Sequence, residues 1–351
     1  MSNQTSGVHI RTQCHAGRIT LDRPDALNAV TQDMCLAIEA ALVNWADDSA
    51  IALVIIDGAG DKAFCAGGDI QDMYATGIAG DYTYGDQFWR DEYRMVATLF
   101  NFPKPVVTFL HGFTLGGGVG VGCHGSHRIV CEDSVIALPE VSIGLVPDVG
   151  GSLILARAPG RIGEYLGLTG DRMDAADAIH AGFADYYISR NIWPTLIETL
   201  CTTGNWDAVD HVAQTPPPSR LAAWQSEIDD VFGGETLGDI WRGMPDPLTE
   251  AIDHGRTLML HNSPLAQRAA LLMLRKVRTV DTIEAALDYE FRATSRALEH
   301  GDFLEGIRAA IIDRDRAPKW RYPTWEDVPG SEVVLLSYPV NPPLDLTGAA
   351  T

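Results

Sequence analysis

Three apolar runs, at residues 51–57 (IALVIID), 106–110 (VVTFL) and 135–138 (VIAL), each end in a polar or glycine-rich loop. This repeated unit limits the possible folds more than any other feature. A run that is apolar on both faces is a strand covered on both sides, and open α/β sheets place their ligands beyond the carboxyl ends of such strands. The pattern predicts an α/β layered domain whose functional loops are 63–70, 111–120 and 137–152. Ahead of it, residues 10–14 and 19–21 read as strands flanking an Ala-Gly turn. Thr31 is placed to cap a helix with Met34, Ile38, Leu42 and Trp45 at helical spacing.

Beyond residue 190 the pattern turns helical, with breaks at TPPPS (215–219) and Gly233-Gly234. Ser263-Pro264 predicts a capped helix start. A further helix carries Ile283, Leu287, Phe291 and Leu298 before Gly301, and another follows Asp302. The tail, residues 340–351, is expected to fray. The 351 residues carry 26 basic and 47 acidic side chains, a formal charge of −21, which disfavours nucleic acid and anionic membranes as partners. A small anionic ligand requires a locally positive site. The six cysteines, at 14, 35, 65, 123, 131 and 201, form no C-x-x-C pair, and no stretch reaches the 18 apolar residues of a membrane span. The expectation is a cytoplasmic protein with reduced, structural thiols; Cys65, beside a functional loop, is the candidate for alkylation.

The loop 63–70 (AFCAGGDI) follows the first apolar run and the loop 111–120 (HGFTLGGGVG) the second, both leading into helical patterns. Glycines there let backbone N–H groups approach a ligand closely. Facing each other, the two loops could offer two amides to one oxyanion; singly, a loop of this kind is more often a packed turn, and the tandem after adjacent apolar runs shifts the reading. The third loop brings Glu140 and Asp148 into an apolar setting, where a carboxyl keeps its proton longer and becomes a usable acid or base. No Walker loop and no G-x-S-x-G elbow is present, and the glycine run lacks the acidic ribose partner of a dinucleotide site. His111, His124 and His127 match no metal-ligand spacing, so no metal is expected.

Taken in order, CAGGDI at 65–70, HGFTLGGGVG and the ALPE…GLVPDVGG segment resemble the enoyl-CoA hydratase/isomerase (crotonase) superfamily. NSPLAQRAALLMLR (262–275) and residues 290–320 resemble the C-terminal extension of its 3-hydroxyisobutyryl-CoA hydrolase branch. The resemblance implies a stack of ββα units over residues 1–200 holding an acyl-CoA site, and a helical C-terminal region over 201–351. It implies that the amides of Gly68 and Gly117 hold the thioester oxygen and that Glu140 and Asp148 are the catalytic carboxylates. Glu92, Ala66 and Asp69 are implied on the substrate side. No cofactor is expected, CoA being part of the substrate, and trimers or higher homo-oligomers are common in the superfamily. Hydratases resemble one another in a glutamate where this chain has Gly120, and usually carry glycine at Asp148; both departures point to thioester hydrolysis. Leu115, Gly122 and Cys123 also depart from the commonest hydrolase residues. The expected activity is hydrolysis of a short branched 3-hydroxyacyl-CoA such as 3-hydroxyisobutyryl-CoA of valine breakdown. The alternatives are an enoyl-CoA hydratase or isomerase and a non-catalytic acyl-CoA binder. Arg23, Lys62 and Lys104 are the candidate cations for the CoA phosphates.

Overall fold

A computed structural model describes residues 3–5 and 7–347. The larger of its two sheets contains β1 (Asn3–Thr5), β2 (Val8–Gln13), β3 (Ala16–Leu21), β4 (Leu53–Gly58), β6 (Val106–Leu110), β8 (His127–Val130) and β10 (Tyr186–Tyr187), side by side in that order. The first three pair antiparallel, and the pairs from β3 to β10 are parallel. The smaller sheet joins β5 (Ala63–Cys65), β7 (Phe113–Leu115) and β9 (Val135–Ala137), all parallel. Each turn of the chain lays one strand in the large sheet and the next in the small one. A helical segment follows: Gln71–Gly77 and Thr83–Phe100 after β5, Gly117–Gly122 after β7. This is an α/β stack of ββα units.

The apolar runs form β4 and β6 because both faces are covered. Leu53, Ile55, Val107 and Phe109 pack with Trp193, Leu196 and Leu200 of the helix Trp193–Thr203. Val54, Ile56, Val106 and Leu110 face the main core, with Met34, Ile38 and Leu42. Each such side chain contributes about 1.5–3 kcal/mol on burial. The helix Gln32–Ala46 starts where Thr31 accepts a hydrogen bond from the Met34 amide, as its sequence predicts.

Three expectations change. Ala16 and Gly17 lie inside β3; the turn is Cys14-His15, with Cys14 in the left-handed region (φ +50°). The run at 135–138 joins the small sheet, whose three-residue strands are too short to show a period. The tail to residue 347 is held: Arg90 donates to the carbonyls of Pro342 and Pro343, and Leu344 and Leu346 pack on the core. Residues 348–351 of the tail lie outside the described residues.

The C-terminal helices continue the main core rather than sitting apart from it. Pro264–Val280 packs on Gly151–Arg157 and Ile162–Thr169, and Ile283–His300 packs on Thr83–Phe100. Leu274, Leu287 and Phe291 share one apolar cluster with Tyr93 and Leu155. Among the described residues no helix is long and apolar enough to cross a membrane.

Candidate active site

A cavity of about 160 Å3 opens where β5, β7 and β9 end. Ala66, Gly67 and Gly68 form one wall, Gly116 and Gly117 another, and apolar side chains such as Phe88, Trp89 and Phe303 close it. Glu92, Glu140 and Asp148 reach into it from three elements, each no more than 5% exposed. The strand-like bridge between Val30 and Gly68 holds the first wall: Val30 donates to Gly67 O and Asp69 to Val30 O. The amides of Gly68 and Gly117 donate to no acceptor among the described residues. They lie side by side: a Cβ on Gly117 would stand 3.1 Å from Gly68 N and 3.0 Å from Glu92 Oε1. Glycine is required there because any side chain would fill the space between the two donors.

Glu140 opens a 3-10 turn after β9, and a Cβ on Gly116 would come within 2.9 Å of its Oε1. Its Oε2, like Glu92 Oε1, is buried without a hydrogen-bond partner. Glu92 sits on the buried face of Thr83–Phe100, where Phe88, Trp89, Tyr93, Val96 and Leu99 recur at helical spacing. That helix is anchored to Gln32–Ala46 by Arg94, which grips both oxygens of Glu39 at 2.7 and 2.9 Å. The next residue, Tyr93, donates its hydroxyl to Asp148 Oδ2 at 2.8 Å.

Asp148 begins a strained loop. Val149, a β-branched residue, has φ +54°, a conformation that costs about 1–3 kcal/mol and persists only when the surroundings impose it. Glu290, fully buried on Ile283–His300, accepts from the amides of Gly150 (2.8 Å) and Ser152 (3.0 Å). His124, whose pKa burial lowers to about 4, is neutral and donates Nε2–H to Val149 O at 2.9 Å. The two residues clamp the loop from either side.

Four buried carboxyls thus share one region. Burial, then repulsion from Asp148 and Glu290, pushes Glu92 well above the ordinary carboxylate range. Burial, then repulsion from Asp148, does the same for Glu140. Burial raises Asp148 to about 7 against the lowering effect of the Tyr93 hydroxyl. It raises Glu290 to about 8 despite the amides that favour its charge. Asp148 and Glu290 are thereby brought near neutrality, and burial together with mutual repulsion holds the protons of Glu92 and Glu140 beyond the ordinary carboxylate range.

Of the residues expected here, Gly68, Gly117, Glu140, Asp148, Glu92 and Ala66 line the cavity. Asp69 does not; its carboxylate turns to Arg23 at 2.9 Å, which neutralises both. Lys104 is occupied by the carbonyls of Trp45 and Asp48 at the end of the first helix, and so is not free for phosphate. Lys62 is exposed beside the loop. Cys65 is fully buried with its thiol pushed up to about 12, which removes the expected reactivity. All six cysteines are unpaired. The three histidines point to three places: His111 against Trp193, His124 on the 149 loop, His127 stacked on Tyr186. Glu290 and Tyr93 were missed. The available signal was an acidic residue set in the apolar stripe of Leu287, Phe291 and Leu298.

Two unpaired amides stand beside buried carboxyls in an apolar cavity reached by glycine loops, an arrangement able to stabilise charge growing on a carbonyl oxygen. The model of the enoyl-CoA hydratase/isomerase family matches residues 16–336, and the chain belongs to that family. It is an enzyme whose curated relatives are hydrolases. It is 35% identical over 343 residues to the mitochondrial 3-hydroxyisobutyryl-CoA hydrolase of Xenopus laevis, covering 93% of this chain and 88% of that one. It is 33% identical to a probable 3-hydroxyisobutyryl-CoA hydrolase of Arabidopsis thaliana, covering 90% and 87%. Among solved structures, an enoyl-CoA hydratase from Rhodobacter sphaeroides superposes with a TM-score of 0.92 at 48% identity over 97% of this chain and 100% of that one. A carnitinyl-CoA dehydratase from Mycobacterium thermoresistibile gives 0.93 at 36% identity, over 98% and 100%.

Proposed function

We propose that the enzyme hydrolyses a short, branched 3-hydroxyacyl-CoA thioester, 3-hydroxyisobutyryl-CoA being the candidate, to the hydroxy acid and CoA. The observation that carries this reading is the pair of unpaired amides, Gly68 and Gly117, set against Glu140 and Asp148 in one closed cavity. The thioester oxygen accepts from both amides, and each well-aimed donor is worth roughly 3–4 kcal/mol as negative charge grows on that oxygen. Glu140 and Asp148 react as a singly protonated pair, in the form that keeps the proton on Asp148, and Glu140 then gives its electron pair either to the carbonyl carbon or to the proton of an attacking water. The C–S bond breaks and the thiolate takes the proton of Asp148; where Glu140 itself has attacked, water then cleaves the mixed anhydride, releasing the hydroxy acid and freeing Glu140, and the proton given up by that water, or by Glu140 where it acted as base, restores Asp148. Glu92, beside the same amides, is placed to meet the substrate hydroxyl.

The names of the solved relatives favour hydration instead, and Gly120 supports the hydrolytic reading. The superfamily resemblance places a second hydratase glutamate at this position. Here a Cβ on Gly120 would stand 2.8 Å from Val149 Cβ and 3.2 Å from Val96 Cγ2. The left-handed Val149 occupies the space that a glutamate needs, and Asp148 precedes it. The test offers the purified enzyme 3-hydroxyisobutyryl-CoA and crotonyl-CoA in parallel, following free thiol for the first and loss of conjugated absorbance for the second. Thiol release dominant supports hydrolysis; crotonyl-CoA hydration dominant sinks it.

A further inference from the structure

On a face of the large sheet a second cavity, of about 600 Å3, lies between the strands and the start of Trp193–Thr203. Its walls are the outward side chains of alternate strand residues: Arg11 and Gln13 on β2, Arg18 and Thr20 on β3, Asp57 on β4. His111 at the end of β6 and Arg190 complete its polar lining. Three arginines in one cleft stand out on a chain of formal charge −21.

The charges are not all matched. Arg18 pairs with Asp57, and Arg190 with Asp61 and Asp133. Among the described residues Arg11 has no carboxylate partner: it donates to Thr20 Oγ1 at 3.0 Å and, at 3.4 Å, meets the backbone carbonyl and ring of His9. Burial, and then Arg18, disfavours its charge. The remaining carboxylate of the cleft, Glu198, is exposed to solvent. Three buried polar atoms on the same walls also lack partners: Arg18 Nε, Asp57 Oδ1 and His111 Nε2. His111 is 3% exposed, and burial and Arg190 keep its ring neutral, while the Gly60 carbonyl favours a proton on the side facing it. That tautomer leaves Nε2, on a residue that lines the cavity, as an acceptor without a partner. A buried orphan of this kind is destabilising until something satisfies it.

We propose that this cleft is a second ligand site, for a small oxyanion that also carries a hydroxyl, a hydroxycarboxylate or a hydrogen phosphate. The anion answers the unmatched Arg11 with the two-pronged geometry guanidinium favours. The hydroxyl donates to His111 Nε2, and Arg18 Nε donates to the ligand. The site is separate from the acyl cavity and does not depend on the reaction proposed there.

The experiment titrates the full-length enzyme calorimetrically with 3-hydroxyisobutyrate, with isobutyrate and with inorganic phosphate. Wild type, Arg11→Gln and Gly117→Ala are compared, the last having its acyl cavity obstructed. Saturable binding that Gly117→Ala retains and Arg11→Gln weakens at least tenfold supports the site. 3-Hydroxyisobutyrate binding well ahead of isobutyrate identifies a hydroxycarboxylate; phosphate binding alone identifies the phosphate source. Equal binding of isobutyrate and its hydroxylated partner overturns the role of His111. Absence of saturable binding below 10 mM, a ceiling of about 3 kcal/mol, overturns the site. So does binding that Gly117→Ala abolishes and Arg11→Gln leaves intact, since that places the ligand in the acyl cavity. Turnover of the acyl-CoA substrate by Arg11→Gln, unchanged when no anion is added, shows that this variant is folded.

Discussion

One cavity opens at the ends of the small sheet's strands and the other lies on a face of the large sheet, and the two are built by opposite means. The acyl cavity is made by loops: its carboxyls come from a helix, a 3-10 turn and a strained bend, and they crowd together against their own repulsion. The arginine cleft is made by strands, whose two-residue alternation puts Arg11, Gln13, Arg18 and Thr20 on one face with no strain at all. Crowded carboxyls need enforcement from outside the loops, and the helix Ile283–His300 provides it through Glu290. The cleft needs no such support. The C-terminal region thus holds the bend that carries Asp148, and the two cavities differ in charge: carboxyls crowd the first and arginines line the second.

The sharpest break comes at Glu140. Glu140→Gln keeps the shape but supplies no electron pair, so hydrolysis should fall by about 10³-fold or more while binding of the ester persists. Turnover and affinity measured on one preparation check this, and activity within threefold of wild type removes Glu140 from the reaction. Next comes Gly117→Ala, whose methyl enters the space between the two amides. A loss of about 10²–10³-fold in kcat is expected, the scale of one oxyanion donor. Asp148→Asn should lose about 10²-fold, and it should lose less with an acyl-CoA analogue whose leaving thiolate is a weaker base, because the acid is then less needed.

Glu290→Gln gives a smaller effect that separates clamp from chemistry. The expected outcome is a kcat reduced about tenfold with KM little changed, since the bend carrying Asp148 loosens. The pH dependence of stability provides the independent readout. The folded chain holds protons on Glu290 up to about 8 and on Asp148 up to about 7, whereas the unfolded chain releases them near 4. At these two groups the folded state therefore binds more protons across that interval, so the stability they contribute is full below about 4 and is lost as pH rises to about 8. Glu290→Gln should flatten the fall by up to about 1.4 kcal/mol per pH unit, read by denaturant titration at several pH values. An unchanged slope contradicts the raised value.

What could be read in the sequence divides along the same line. The covered strands β4 and β6, the Thr31 cap and the Ser263 cap were legible because hydrophobic pattern and capping chemistry are local. Most of the candidate acyl-site lining was legible through glycines and acids at motif spacing. The small sheet was not, because three-residue strands carry no period. Asp69 was misplaced because only the fold reveals that Arg23 takes it away. Glu290 lies 142 residues from Asp148 in the chain, and nothing local in either segment announces the other. The arginine cleft was written in the alternation of β2 and β3, but its meaning depends on which charges stay unpaired, and that requires the partners Asp57, Asp61 and Asp133 in place.

The central claim is that the paired amides and Glu140 break a thioester bond. Its most direct measurement is thiol release by the wild-type enzyme from 3-hydroxyisobutyryl-CoA, run beside crotonyl-CoA hydration and repeated with Glu140→Gln. The account predicts rapid stoichiometric release of CoA, negligible hydration, and a loss of release of about 10³-fold in the variant. Hydration of crotonyl-CoA faster than thiol release from every 3-hydroxyacyl-CoA offered would contradict it.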